Sequence, residues 1–207
     1  MKNFIDKVKF DVNSVCDGHH KTTYRGIKAI RCPFDYLIYQ MIVSEVKPDL
    51  IIEIGTNNGG GALYLSDLLS FNGNGIVHTI DIVDMAQDVP KSDPRIKFFT
   101  NGWQDYDIEQ AKSFKNILII EDSSHMYEDT LNVLKKFHSL VSIGSYFIVE
   151  DGIIDELGMK KEYNGGPLKA IKEFLNENNE FEIDRKWCDF FGVNATFNVN
   201  GYLKRIK

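Results

Sequence analysis

Cysteine, proline and long apolar runs are all scarce in this chain, and each scarcity excludes a class of protein. Three cysteines, Cys16, Cys32 and Cys188, stand among 207 residues with no C-x-x-C spacing. That number and spacing indicate neither a disulfide framework nor a thiolate zinc site, and the cysteines read as reduced thiols. No apolar run approaches the roughly 20 residues a membrane helix needs. The opening MKNFIDKVKFD is charged and amphipathic rather than a continuous apolar leader. Blocks of like charge are missing too. The net charge is −6, with 24 lysines and arginines dispersed among 30 acids, which leaves no footprint for nucleic acid or an anionic membrane. No repeat, linker or low-complexity segment interrupts the chain. The expected setting is cytoplasmic and the expected partner a small molecule; a homo-oligomer is left open.

What is present is an ordinary globular composition, 43% hydrophobic and 26% charged, enough for one well-buried core. The stretch Pro48 to Gly61, PDLIIEIGTNNGGG, organises it. Leu50, Ile51, Ile52 and Ile54 are too few for a helix and mostly β-branched, so they predict a strand covered on both faces in a parallel sheet. Gly55, Gly59, Gly60 and Gly61 then permit a turn that lets a ligand approach the backbone, before Ala62, Leu65, Leu68 and Leu69 begin a helix with one apolar face. A strand, a glycine turn and a helix N-terminus suit a polar or anionic ligand. The residues after Gly55 are Thr56, Asn57 and Asn58, so the close glycine pair of a dinucleotide fingerprint is missing. An adenosyl ligand without a pyrophosphate fits better than NAD.

Upstream, residues 1–32 read as a short helix and a polar loop. His19 and His20 fall in that loop; without a third ligand at helical or turn spacing they read as exposed polar residues. Residues 33–207 read as a single domain. Its first helix runs from Pro33, with Phe34, Leu37, Ile38, Met41, Ile42 and Val46 on one face. Ile76 to Ile82 is the second strand, with Asp81 at its carboxyl end, 26 positions after Gly55, where doubly wound domains hold ribose hydroxyls. Ile96 to Thr100 is the third strand and leads into Gly102 and Trp103; the indole either flanks an adenine or covers the core. Ile117 to Ile120 ends in EDSSH and is followed by a helix through Leu131, Leu134, Phe137, His138 and Val141. Tyr146 to Val149 ends in Glu150 and Asp151. A last helix starts at Gly166-Pro167, and Phe181 to Ile183 with Asn194 to Leu203 close the sheet. The sum is an α/β three-layer sandwich on a mostly parallel, seven-stranded sheet.

Ligands of such a sheet sit outside the carboxyl ends of its strands. Two consecutive strand ends are acidic, so Asp122, Glu150 and Asp151 should converge and offer a hard cation such as Mg²⁺ its oxygens. The competing role for these acids is capping the helices that follow. His125 lies three positions after Asp122 and adds to the case for a metal site.

The combination KPDLIIEIGTNNGG, DSSH, SYFIVEDG, GPLKAIKEFL and GYLKR resembles the cephalosporin hydroxylase and rhamnosyl O-methyltransferase family, from about Tyr24 to Arg205. The resemblance implies a Rossmann-like class I methyltransferase that uses S-adenosylmethionine and Mg²⁺ on a sugar or glycoside hydroxyl. It implies a donor site at Glu53, Gly55 and Asp81, to which Thr56, Asn57, Gly59, Gly102 and Trp103 are added as neighbours in the turns. It also implies Mg²⁺ ligation by Asp122, Glu150 and Asp151, with His125 as catalytic base and Asp122 the next candidate for that role. One departure is Trp103, where the family usually carries an acid or serine after the glycine. Two rival readings use the same sheet: a nicotinamide oxidoreductase and an inactive binding protein.

Overall fold

The structure, a computed structural model, describes residues 7–207. In chain order it places α1 at Val12–His19, a short hairpin of β1 (Thr23–Tyr24) and β2 (Ile27–Lys28), α2 at Pro33–Val46, β3 at Leu50–Ile54 and α3 at Gly60–Phe71. These are followed by β4 (Ile76–Ile80), α4 (Asp88–Lys91), β5 (Ile96–Phe99), β6 (Ile117–Glu121) and α5 (Tyr127–Phe137). The chain closes with β7 (Tyr146–Val149), α6 (Gly166–Glu177), β8 (Phe181–Ile183), α7 (Arg185–Cys188) and β9 (Tyr202–Arg205).

Seven strands form one sheet in the order β5-β4-β3-β6-β7-β9-β8. The first five are parallel, and β9 runs antiparallel between β7 and β8. Strand β3 shows why the sheet is sandwiched. Ile51 joins the core shared with Ile38, Ile42, Leu63 and Leu65, whereas Leu50, Ile52 and Ile54 join the core shared with Leu131, Leu134, Ala170 and Phe174. Successive side chains point to opposite faces of a strand, so an all-apolar run demands helices on both sides. Each such side chain fully buried contributes about 1.5–3 kcal/mol.

Local chemistry sets the helix ends. Pro33 sits in the first turn of α2, and Lys47 ends that helix in the left-handed region with its N–H on the Val43 carbonyl. Helix α5 carries Glu128 and Asp129 in its first turn and Lys135 and Lys136 in its last, matching the helix dipole.

Three expectations need correction. His19 is the last residue of α1 rather than part of a loop; it is buried, with its ring edge-on to Phe197. The second strand stops at Ile80, which leaves Asp81 in the turn beyond it. The closing strand covers only Tyr202–Arg205. The alternation in ATFNVN imitates a strand, but Asn194 and Asn200 take left-handed backbone and Asn198 is buried against the Tyr39 and Tyr202 hydroxyls. Of the amphipathic opening stretch, residues 1–6 lie outside the described residues. Among the described residues no helix is long and apolar enough to cross a membrane.

Candidate active site

Strand register brings the site together. Ile54 pairs with Ile80 on one side and Glu121 on the other, and Glu121 pairs with Val149. The next residue of each strand is therefore Asp81, Gly55, Asp122 and Glu150, side by side at the carboxyl edge. The ladder continues one step into these turns: Gly55 N–H donates to Ile80 O, Asp122 N–H to Ile54 O and Glu150 N–H to Glu121 O, at 2.8, 2.8 and 2.9 Å. Gly55 has no substitute there. Its φ is +112°, and a Cβ would lie 1.9 Å from the Asp122 carbonyl oxygen. Gly61 makes room in another way, since a Cβ would stand 2.5 Å from Glu53 Oε1.

A cleft of about 640 Å³ opens over this edge, lined by Glu53, Gly55, Thr56, Asn57, Asp81, Gly102, Trp103, Asp122, His125, Glu150 and Asp151 among others. On one side Asp81 Oδ2 accepts from Asn57 N–H at 2.9 Å and Oδ1 from Ile82 N–H at 2.8 Å. Its carboxylate is thus fixed in direction with lone pairs to spare. Glu53 is buried, and its Oε2 accepts from Thr79 Oγ1, which also meets Thr56 Oγ1, both at 2.7 Å. Burial pushes the Glu53 carboxyl up to about 7, against the pull of Arg31. Gly59 does not line the cleft; it caps α3 in the left-handed region. Trp103 lines the cleft and also packs against the core beneath it.

On the other side Asp122, His125 and Asp151 face one another, each offering one ligand atom within 4.8 Å of the others. His125 Nε2 is 3.2 Å from Asp151 Oδ2 and 3.9 Å from Asp122 Oδ1. Both His125 and Asp151 hold left-handed backbone, with φ of +57° and +58°. His125 therefore precedes the N-cap of α5, Met126, instead of joining its first turn. Burial drives the Asp122 carboxyl well above its ordinary range, with Glu150, Asp151 and Glu53 adding repulsion that Arg31 only partly offsets. A bound cation would relieve this repulsion between neighbouring carboxylates.

Glu150 does not join that trio. Its Oε1 already receives Arg31 Nη2 at 2.7 Å, Arg31 Nε at 3.1 Å and the Tyr39 hydroxyl at 2.8 Å, which more than fills two lone pairs. Arg31 is the residue that sequence reasoning missed. It is buried, lies over the Tyr39 ring at 4.5 Å, and stands 3.8 Å from Asp122 and 3.9 Å from Glu53. Nothing near it in the chain signals that role. Tyr36 and Tyr163, which also line the cleft, were equally silent.

A sheet of this order with its cleft over the carboxyl edge is the architecture of a class I methyltransferase. A family model described as Rhamnosyl O-methyltransferase/CmcI matches residues 17–206. The rhamnosyl O-methyltransferase of Mycobacterium tuberculosis is 33% identical over 194 residues, covering 89% of this chain and 78% of the relative. The rhamnosyl O-methyltransferase of Mycobacterium leprae is 30% identical over 211 residues, covering 93% and 91%. A solved CmcI structure described as a complex with Mg and SAM superposes with a TM-score of 0.68 at 21% identity, over 91% of this chain and 78% of that one. The chain belongs to the rhamnosyl O-methyltransferase/CmcI family.

Proposed function

We propose that this protein methylates a hydroxyl of a sugar or glycosylated small molecule, with S-adenosylmethionine as donor and Mg²⁺ as cofactor. The observation that carries the reading is the pairing of two half-sites in one cleft: Asp81 and the Gly55 turn on one side, Asp122, His125 and Asp151 on the other. Membership of a family whose relatives are named rhamnosyl O-methyltransferases supports the sugar acceptor.

When bound, the donor supplies an electrophilic methyl and the metal a Lewis acid that eases loss of the hydroxyl proton. The chain's own residues do the rest. Asp81 would receive the ribose hydroxyls, and the Gly55 turn, Thr56, Asn57, Gly102 and Trp103 would frame the donor. Gly59 contributes by capping α3 beneath that turn. Asp122 and Asp151 would hold the metal, and Glu150, whose Oε2 takes only a 3.4 Å contact from Arg31 Nε, would add that oxygen while Oε1 keeps Arg31. His125 would accept the hydroxyl proton at Nε2 once Asp151, 3.2 Å from that nitrogen, turns its carboxylate toward the metal; Mg²⁺ prefers oxygen ligands to imidazole, so the ring stays available as a base. Holding donor and acceptor in line is itself a large part of the barrier. The three cysteines are all free thiols, which suits a reducing cytoplasm, the setting we assign to the reaction.

Incubation with labelled donor, Mg²⁺ and a panel of sugar nucleotides and glycosides tests the proposal, with transfer to a sugar hydroxyl expected. Saturable NAD binding together with no response to the adenosyl ligands would overturn it.

A further inference from the structure

Cys16, His19 and His20 make a second group of side chains with metal-binding chemistry, apart from Asp122, His125 and Asp151. They occupy positions i, i+3 and i+4 of one helical turn and therefore share a face of α1. Sequence reading gave His19 and His20 no third ligand; once the segment is helical, Cys16 is that ligand. One ligand atom from each residue lies within 4.8 Å of the others, and Cys16 Sγ is 4.0 Å from His20 Nε2. Bonds of about 2.0–2.3 Å to a tetrahedral ion set ligand atoms roughly 3.3–3.8 Å apart. Small side-chain rotations close that gap.

The arrangement is oriented as well as compact. His19 Nδ1 meets the Cys16 carbonyl oxygen, and the ring is buried edge-on against Phe197 with centroids 4.9 Å apart. A ring that donates through Nδ1 presents Nε2 as an acceptor, which is how metal-binding histidines are commonly held. His20 is exposed, so an ion has a way in. Both histidines line the cleft that holds the acidic trio.

We propose that Cys16, His19 and His20 bind a thiophilic divalent cation, Zn²⁺ or a close analogue, on the cleft wall. Sulfur and imidazole nitrogen select zinc-like ions, whereas carboxylate oxygens select Mg²⁺. The cleft thus sorts two kinds of cation between two sites. Binding expels the Cys16 thiol proton and leaves a fourth position for water or for an oxygen of whatever fills the cleft.

Co²⁺ is the probe, titrated into the untagged, metal-free chain in saturating Mg²⁺. One equivalent is expected to bind with the near-ultraviolet absorption of a thiolate–cobalt bond. Cys16→Ser should abolish that band, and His20→Gln, at an exposed position, should weaken Co²⁺ binding by about tenfold or more with an unchanged melting temperature. Asp151→Asn should leave the band unchanged. Absence of the band, its survival in Cys16→Ser, unchanged affinity in His20→Gln, or its loss in Asp151→Asn would each overturn the proposal, whether or not the protein proves to be a methyltransferase.

Discussion

Arg31 Nη2 donates to Glu150 Oε1 across 2.7 Å, joining two buried side chains that stand 119 residues apart in the chain. The same nitrogen is 3.8 Å from Asp122 and 3.9 Å from Glu53, so one guanidinium is shared among three carboxyl groups. Removing one partner of a buried pair strands the other. Arg31→Met should therefore cost about 3–5 kcal/mol in urea unfolding. Adding Glu150→Gln should restore a good part of it, because the stranded charge is gone. A loss below about 1 kcal/mol would place the pair among those that contribute little.

That pair also marks where sequence reading ends. The β3 run, the glycine turn and the acidic strand ends were legible because strand burial and turn chemistry leave local signatures of period and residue type. Register then carried Asp122 to its place, since parallel neighbours align their ends. Arg31 has no such signature: a lone arginine in a polar loop reads as solvated until the fold shows four aligned strand ends beneath it. The 194–201 segment misled for the opposite reason. Its alternation is a strand pattern, but Asn198 reaches the Tyr39 and Tyr202 hydroxyls only because left-handed Asn194 and Asn200 turn the chain there.

His78 supplies a test by pH. It is buried, with its Nδ1 facing the Tyr106 hydroxyl at 2.7 Å, and burial holds its pKa down to about 4 from an ordinary 6.5. The unfolded chain takes up this proton below about pH 6.5 while the folded chain refuses it until about pH 4. Its contribution is therefore fully present above pH 6.5 and is lost as pH falls through that window. Asp35 and Glu53, each raised to about 7, act in the opposite sense. Comparison with His78→Asn isolates the histidine: between pH 7 and pH 5 the wild type should lose about 2 kcal/mol more than the variant. Parallel stability curves would contradict the assignment.

Asp151→Asn separates metal binding from folding. Asparagine accepts the left-handed backbone that Asp151 adopts at φ +58°, so the fold should survive with an unchanged melting temperature. The variant should bind S-adenosylmethionine normally yet lose stimulation of methyl transfer by Mg²⁺. Chelation should silence the wild type in the same way. Full turnover after exhaustive chelation would return Asp122 and Asp151 to the role of structural acids.

His125 offers the sharpest separation of chemistry from structure, because its backbone works against it. At φ +57° a side chain with a Cβ is strained by roughly 1 kcal/mol, a cost that glycine does not carry. His125→Gly should therefore fold as well as the wild type to within about 1 kcal/mol, the relief offsetting the lost contacts to Asp151 and the Tyr163 ring. Alanine would be the poorer choice, since it removes the imidazole and keeps the strain. If Nε2 is the proton acceptor, His125→Gly should lower turnover by roughly a hundredfold to ten-thousandfold with donor affinity unchanged. His125→Asn, which tolerates the same backbone and can still hydrogen-bond Asp151, should be as inactive as glycine, because an amide cannot take the proton. A stable His125→Gly that turned over its acceptor at near-normal rate would move the base to Asp122, whose Oδ1 stands 3.9 Å from His125 Nε2.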